Sequence, residues 1–241
     1  MATITPVDYG SNNGTAALAL NPTVGIGVGT ASGGVVTLSH SADPGAYTAP
    51  SGWTQVGSTV VANSGIGGFC WLSMWLRGFW PGATSYSWSW VNATNVVGAT
   101  GRYNTTGGSL AVDQTTSSTG TNTTPTSGSI TTTSADELLV LGVAVAVSPA
   151  VSGITLSAPT NSFTLEAQDS SITGLGGGLT DRIVGSTSTY STAVTADAAS
   201  NWATILTGFK VVAVAADQAV AAWGTPQDQP FMREPTRVVL Y

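Results

Sequence analysis

Apolar residues in this chain come in short runs broken by Gly, Ser, Asn or Pro, and no long stretch carries the three- and four-residue spacing of an amphipathic helix. The runs Thr23–Thr30, Val35–Leu38, Thr54–Ala62, Phe69–Gly78, Ser85–Val91 and Asn95–Tyr103 lie in the first part of the sequence. Glu137–Val147, Gly153–Leu156, Phe163–Gln168, Gly178–Val184, Thr189–Val194 and Trp202–Val214 follow in the second. Strand-length segments with turn residues at this spacing predict an all-β, antiparallel β-sandwich of jelly-roll type. A single fold of this kind accommodates 241 residues and buries a core without staples.

The surface of such a sandwich must be wetted, and charge is scarce. Six Lys and Arg and twelve Asp and Glu stand against 37 Thr and 27 Ser. Neutral hydroxyls therefore take over the exposed positions, and Thr, being β-branched, suits a pleated, half-buried surface. The net charge is −6, and Lys210 is the only lysine. Nucleic-acid binding rests on clustered cations that release counterions from phosphates. No such cluster occurs, so no nucleic-acid partner is expected.

Catalytic and metal chemistry have few candidates. His40 is the one histidine and Cys70 the one cysteine. A single cysteine excludes an internal disulfide, and Cys70 stands inside an apolar run, where a thiol is inert. The flanking Ser39 and Ser41 do not face His40 from adjacent strand positions. The acids Asp113, Asp136, Glu137, Glu166, Asp169, Asp181 and Asp197 show no spacing that selects a catalytic pair. The expectation is a protein that is no enzyme and has no cofactor and no metal. The N-terminal residues carry neither a basic nor an apolar leader pattern. The longest apolar runs, Leu138–Val147 and Val211–Ala216, are too short to span a bilayer, so no membrane insertion is expected.

The order of segments repeats. Val24–Gly29 aligns with Leu139–Ala144, Ala49-Pro50 with Ala158-Pro159, Ser85–Ser87 with Thr189–Ser191, and Thr100-Gly101 with Thr207-Gly208. Two similar halves, about 21–112 and 134–214, are expected, joined by a Thr/Ser-rich bridge at 113–133. Residues 1–20 read as an extended arm and 215–241 as a docking extension. In that extension Pro226, Pro230 and Pro235 deny strand pairing. Trp223, Phe231, Met232, Arg233, Arg237 and Tyr241 offer anchors there for a neighbouring subunit. The other conspicuous feature is aromatic. Phe69–Val91 reads as a hairpin whose paired strands would place Trp71, Trp75, Tyr86, Trp88 and Trp90 on one face, with Trp80 in the turn. That face suits a sandwich core, a subunit interface, or a platform for stacking sugar rings.

The succession of a buried apolar strand, Ala49-Pro-Ser-Gly-Trp-Thr-Gln-Val56, an aromatic strand, Tyr86-Ser-Trp88 and a closing Thr207-Gly-Phe-Lys-Val-Val212 resembles β-sandwich virion proteins of tailed bacteriophages, the minor tail and capsid decoration proteins. The resemblance implies a structural virion protein at the surface of head or tail, made in the host cytoplasm. Its implied partners are major capsid or tail proteins and copies of itself. The alternative is a module that binds a carbohydrate or host receptor through the Trp-rich segment. The family carries no catalytic residues to transfer.

Overall fold

The computed structural model describes residues 2–15, 17–20, 32–63, 68–78, 86–92, 94–147, 153–171, 174–198 and 201–213. No helix occurs among them. The first half supplies β1 (Thr3–Thr15), β2 (Ala17–Leu20), β3 (Ser32–His40), β4 (Tyr47–Thr48), β5 (Thr54–Ala62), β6 (Cys70–Arg77), β7 (Tyr86–Trp90) and β8 (Asn95–Thr106). They form a five-stranded sheet, β1-β8-β3-β6-β5, and a three-stranded sheet, β2-β7-β4. The second half supplies β9 (Ser109–Gly120), β10 (Ile130–Thr131), β11 (Glu137–Ala146), β12 (Leu156–Ser157) and β13 (Thr164–Ser170). It continues with β14 (Leu175–Val184), β15 (Thr189–Tyr190), β16 (Thr195–Ala196) and β17 (Asn201–Val212). Its large sheet runs β9-β17-β11-β14-β13, and two ribbons, β10-β15 and β12-β16, stand where the first half has its small sheet.

Matched in chain order, the two large sheets have one topology. β1, β3, β5, β6 and β8 take the places of β9, β11, β13, β14 and β17. β7 is represented by the separate pieces β15 and β16. Each half thus has the strand order of an eight-stranded jelly roll. The fold is an antiparallel β-sandwich of two similar halves whose large sheets pack on each other.

β3 and β11 lie at the centres of these sheets. All ten residues of β11 are buried, which requires cover on both faces. Toward the partner sheet, Leu138, Val140 and Ala144 meet Val35, Cys70, Leu72, Met74, Val97 and Ala99. Away from it, Leu139, Leu141, Val143 and Val145 pack under Ile154, Leu156, Phe163, Val194 and Trp202. The sheets approach closely where small residues oppose each other. A Cβ on Gly142 of β11 would lie 2.6 Å from Thr37 Cγ2 of β3, and one on Gly177 would lie 2.6 Å from Ser39 Oγ. Ser39 Oγ donates to Val143 O at 3.3 Å, so a hydrogen bond crosses the same contact.

Four sequence expectations are revised. The N-terminal segment is no separate arm, since β1 pairs with β8 from Thr3↔Thr106 to Thr15↔Asn95. Its polar residues reflect an edge strand with one solvated side. The Thr/Ser-rich bridge is not only a linker, since residues 113–120 of it belong to β9, which pairs with β17 from Ser109↔Val212 to Gly120↔Trp202 and opens the second half. Phe69–Val91 is not a hairpin, because β6 pairs with β3 and β5 while β7 pairs with β2 and β4. In a jelly roll, neighbours in sequence commonly belong to different sheets. Finally, β11 is matched by β3 rather than by Val24–Gly29, a stretch outside the described residues. The proposed docking extension 215–241 also lies outside them.

The close approach at Gly142 yields a stability test. Gly142→Val should be destabilised by about 1–3 kcal/mol through overpacking against Thr37, measured by urea denaturation. An unchanged midpoint would contradict the sheet contact described.

Candidate functional site

Three side-chain constellations stand out, and the aromatic one is largest. It covers the outer face of the first large sheet. Val36, Leu38 and Val96 form its floor, with Trp75 from β6 beside them. Trp88 and Trp90 descend from β7, and Trp53, just before β5, and Tyr47 of β4 close the layer. Alternation in β7 turns Trp88 and Trp90 inward and leaves Ser87 and Ser89 exposed. The rings meet edge to face: Trp53 and Trp88 are 5.0 Å apart at 66°, and Tyr47 and Trp75 are 5.4 Å apart at 72°. Such geometry is favoured by the ring quadrupoles.

Trp88 is fully buried, and Trp53, Trp75 and Trp90 are buried nearly as deeply. Trp71 and Tyr86 are half-buried, the latter under the Arg77 guanidinium at 4.9 Å. Trp80 lies outside the described residues, as do Trp223, Phe231, Met232, Arg233, Arg237 and Tyr241. Trp75, Trp88 and Trp90 thus turn their faces to other rings rather than outward. Sequence reasoning missed Trp53, Tyr47 and His40 as members of this layer. The turn before Trp53 and the short β4 obscure the alternation there. His40 Nδ1 lies 2.9 Å from Thr94 Oγ1, its ring 4.8 Å from Trp90. Burial lowers its pKa to about 3, so it is neutral at ordinary pH.

The second constellation joins the two halves at the β1/β13 side. Tyr9 and Tyr103 both donate to Asp181 Oδ2, at 2.7 and 2.9 Å. Ser11 Oγ donates to Gln168 O, and Asn13 Nδ2 to Asp169 Oδ1. Burial raises the Asp181 carboxyl above its usual range, outweighing the two hydroxyl donors. Burial, then the Asp181 charge, likewise raises Glu166. The Tyr103 hydroxyl is pushed far up by burial and by Asp181.

The third constellation sits where β9 meets β17. Lys210 Nζ lies 2.7 Å from Asp113 Oδ1. Thr133 Oγ1 donates to the same oxygen, and Thr133 N–H donates to Asp113 Oδ2 at 2.9 Å. Glu137, fully buried, accepts from Thr133 N–H at 3.1 Å and Ser134 N–H at 2.7 Å.

Elsewhere, burial pushes the Cys70 thiol up to about 12, so it remains protonated. Among the described residues no group of three His, Cys, Asp or Glu is placed to hold a metal ion. A groove of about 370 Å³ between β5 and β9 is lined by Val56, Ser58, Thr59, Thr115, Ser117 and Ile205, without an ionisable group. Comparison with protein-family models, curated proteins and solved structures finds no match.

The Asp181 bonds give a pH test. A carboxyl raised in the folded state stabilises the protein when protonated, and that contribution is lost as pH rises from about 4 through the folded value. Asp181→Asn keeps an acceptor for both hydroxyls and removes this titration. Its stability relative to the parent should therefore improve as the pH is raised from about 3 to about 7. Urea denaturation across that range reads the difference; a gap independent of pH would show that burial leaves Asp181 untitrated.

Proposed function

We propose that this chain is a structural component of a tailed-phage particle, a capsid decoration or minor tail protein, acting through protein–protein contacts. The observation that carries this reading is the doubled jelly roll. Two rolls share one core through their large sheets, and small sheets and ribbons cover the outer faces. Jelly rolls recur as rigid building blocks of viral shells and lectins, and fold alone does not choose between those uses. The aromatic layer favours the building block, because Trp75, Trp88 and Trp90 are spent on internal packing rather than held out for a sugar ring.

The surface chemistry supports the same reading. The buried Asp8–Arg102 pair, the partly exposed Asp113–Lys210 pair and hydrogen bonds hold strands together, and the remaining exterior is rich in Thr and Ser. An exterior of neutral hydroxyls makes no demand for ionic partners. Major capsid or tail proteins, and further copies of this chain, are the proposed neighbours.

Immunogold labelling of purified particles with antibody against this chain tests the proposal. Labelling at one fixed position on intact particles is expected. Particles free of the chain, with all of it remaining in the cleared lysate, would refute it.

A further inference from the structure

We propose that Lys210 and Asp113 join in a self-formed isopeptide bond, assisted by Glu137, that fastens β17 to β9. The inference is independent of where the protein resides. It begins with position. Asp113 is the extra residue of a bulge in β9, since Gln114 pairs with Gly208 and Val112 with Phe209. A bulge re-aims the side chain it inserts. Here it brings the Asp113 carboxyl, 1% exposed, against the amine of the only lysine in the chain, 2.7 Å away.

The surroundings do more than an ion pair requires. Thr133 holds both Asp113 oxygens, through its hydroxyl on Oδ1 and its N–H on Oδ2. Those donors fix the carboxyl and lie where negative charge develops when its carbon is attacked. Beyond Thr133 stands Glu137, fully buried, with no cation assigned to it in an ion pair among the described residues. Its Oε1 accepts the Thr133 and Ser134 N–H groups, while its Oε2 has no hydrogen-bond partner among the described residues. A turn with Asp136 at φ 59° presents it, and Gly208 leaves room for it: a Cβ there would lie 3.0 Å from Oε2. Burial, and then the Asp113 charge, raise the Glu137 carboxyl and favour its protonated form.

The chemistry balances without a further reactant. The lysine ammonium and the aspartate carboxylate contain the atoms of one amide and one water molecule. Proton transfer within the pair, relayed by Glu137, frees the Nζ lone pair, which attacks Cγ of Asp113. The Nζ–Cγ bond forms, one Cγ–Oδ bond breaks, and that oxygen leaves as water with two of the three ammonium protons, the third remaining on the amide nitrogen. Glu137 ends as it began. At rest the Lys210 bond and the Thr133 donors, working against burial, hold Asp113 ionised, and the bond to Asp113 holds Lys210 ionised. The neutral pair is therefore the minor form through which reaction proceeds, and proton relay is what the site must supply.

The first half contains its own comparison. Asp8 on β1 binds Arg102 on β8 through two bonds, 2.9 and 2.8 Å, again linking first and last strands of a roll. A guanidinium does not surrender its proton in a protein, so that pair remains ionic. Between Asp113 and Lys210 the covalent link would close a separation of 97 residues. Tension applied to either end of the second roll would then fall on an amide.

Intact-mass measurement of the full chain under denaturing conditions tests this. The expected mass is short of the sequence mass by one water, and fragmentation should yield a branched peptide joining residues 113 and 210. The sole ε-amine should resist an amine-acylating reagent. Lys210→Arg, which preserves an ion pair, and Glu137→Gln should both retain the water. Full mass with an acylated Lys210 in the unaltered chain overturns the proposal, as does loss of water in Lys210→Arg. Loss of water in Glu137→Gln at the unaltered rate overturns the role given to Glu137.

Discussion

Burial of both faces of the two central strands, β3 and β11, is the constraint on which the rest of the structure depends. A strand covered on one face only can be polar on the other, but β11 is apolar or small from Leu138 to Ala146. Its inner face is satisfied by the opposite large sheet. Its outer face needs a second layer, which the β10-β15 and β12-β16 ribbons and their loops provide. The same requirement on β3 is met by Trp53, Trp88 and Trp90 under the small sheet. The jelly-roll crossings follow from this, since each chain segment that leaves a large sheet returns as cover for it.

Close approach of the large sheets dictates small residues at their crossing. Gly142 and Gly177 oppose Thr37 and Ser39, and larger side chains on either strand would hold the sheets apart. Away from this crossing, side-chain hydrogen bonds and ion pairs add to the packing. Tyr9, Tyr103 and Asp181 tie the halves across the β1/β13 side, and Asp8–Arg102 and Asp113–Lys210 tie first to last strands within each half. Asp8, Arg102, Asp113, Asp181 and Lys210 thus stand where strands are held in register.

The sandwich and its duplication were legible because apolar periodicity and turn residues report directly on strands. The hydroxyl-rich β9 was not legible as a strand. Thr115, Thr116, Ser117 and Ser118 look like a linker, and only pairing with β17 distinguishes the two. The Phe69–Val91 pairing was misread because sequence adjacency suggests a hairpin, whereas β6 and β7 enter different sheets. Trp75, Trp88 and Trp90 were found and Trp53 and Tyr47 missed, and the orientation of these rings depends on a sheet formed with β2 and β4, which no local pattern announces. Asp113, Glu137 and Lys210 were visible only as scattered residues, because a β-bulge and a turn bring them together.

If mutual burial of the two large sheets is what holds this molecule, the halves cannot open separately. Native-state hydrogen exchange followed by mass spectrometry measures this directly, strand by strand. The account predicts that β3 and β11 are the most protected segments and open with the same free energy, that of global unfolding. Exchange of β3 at a clearly lower free energy, with β11 still protected, would contradict it.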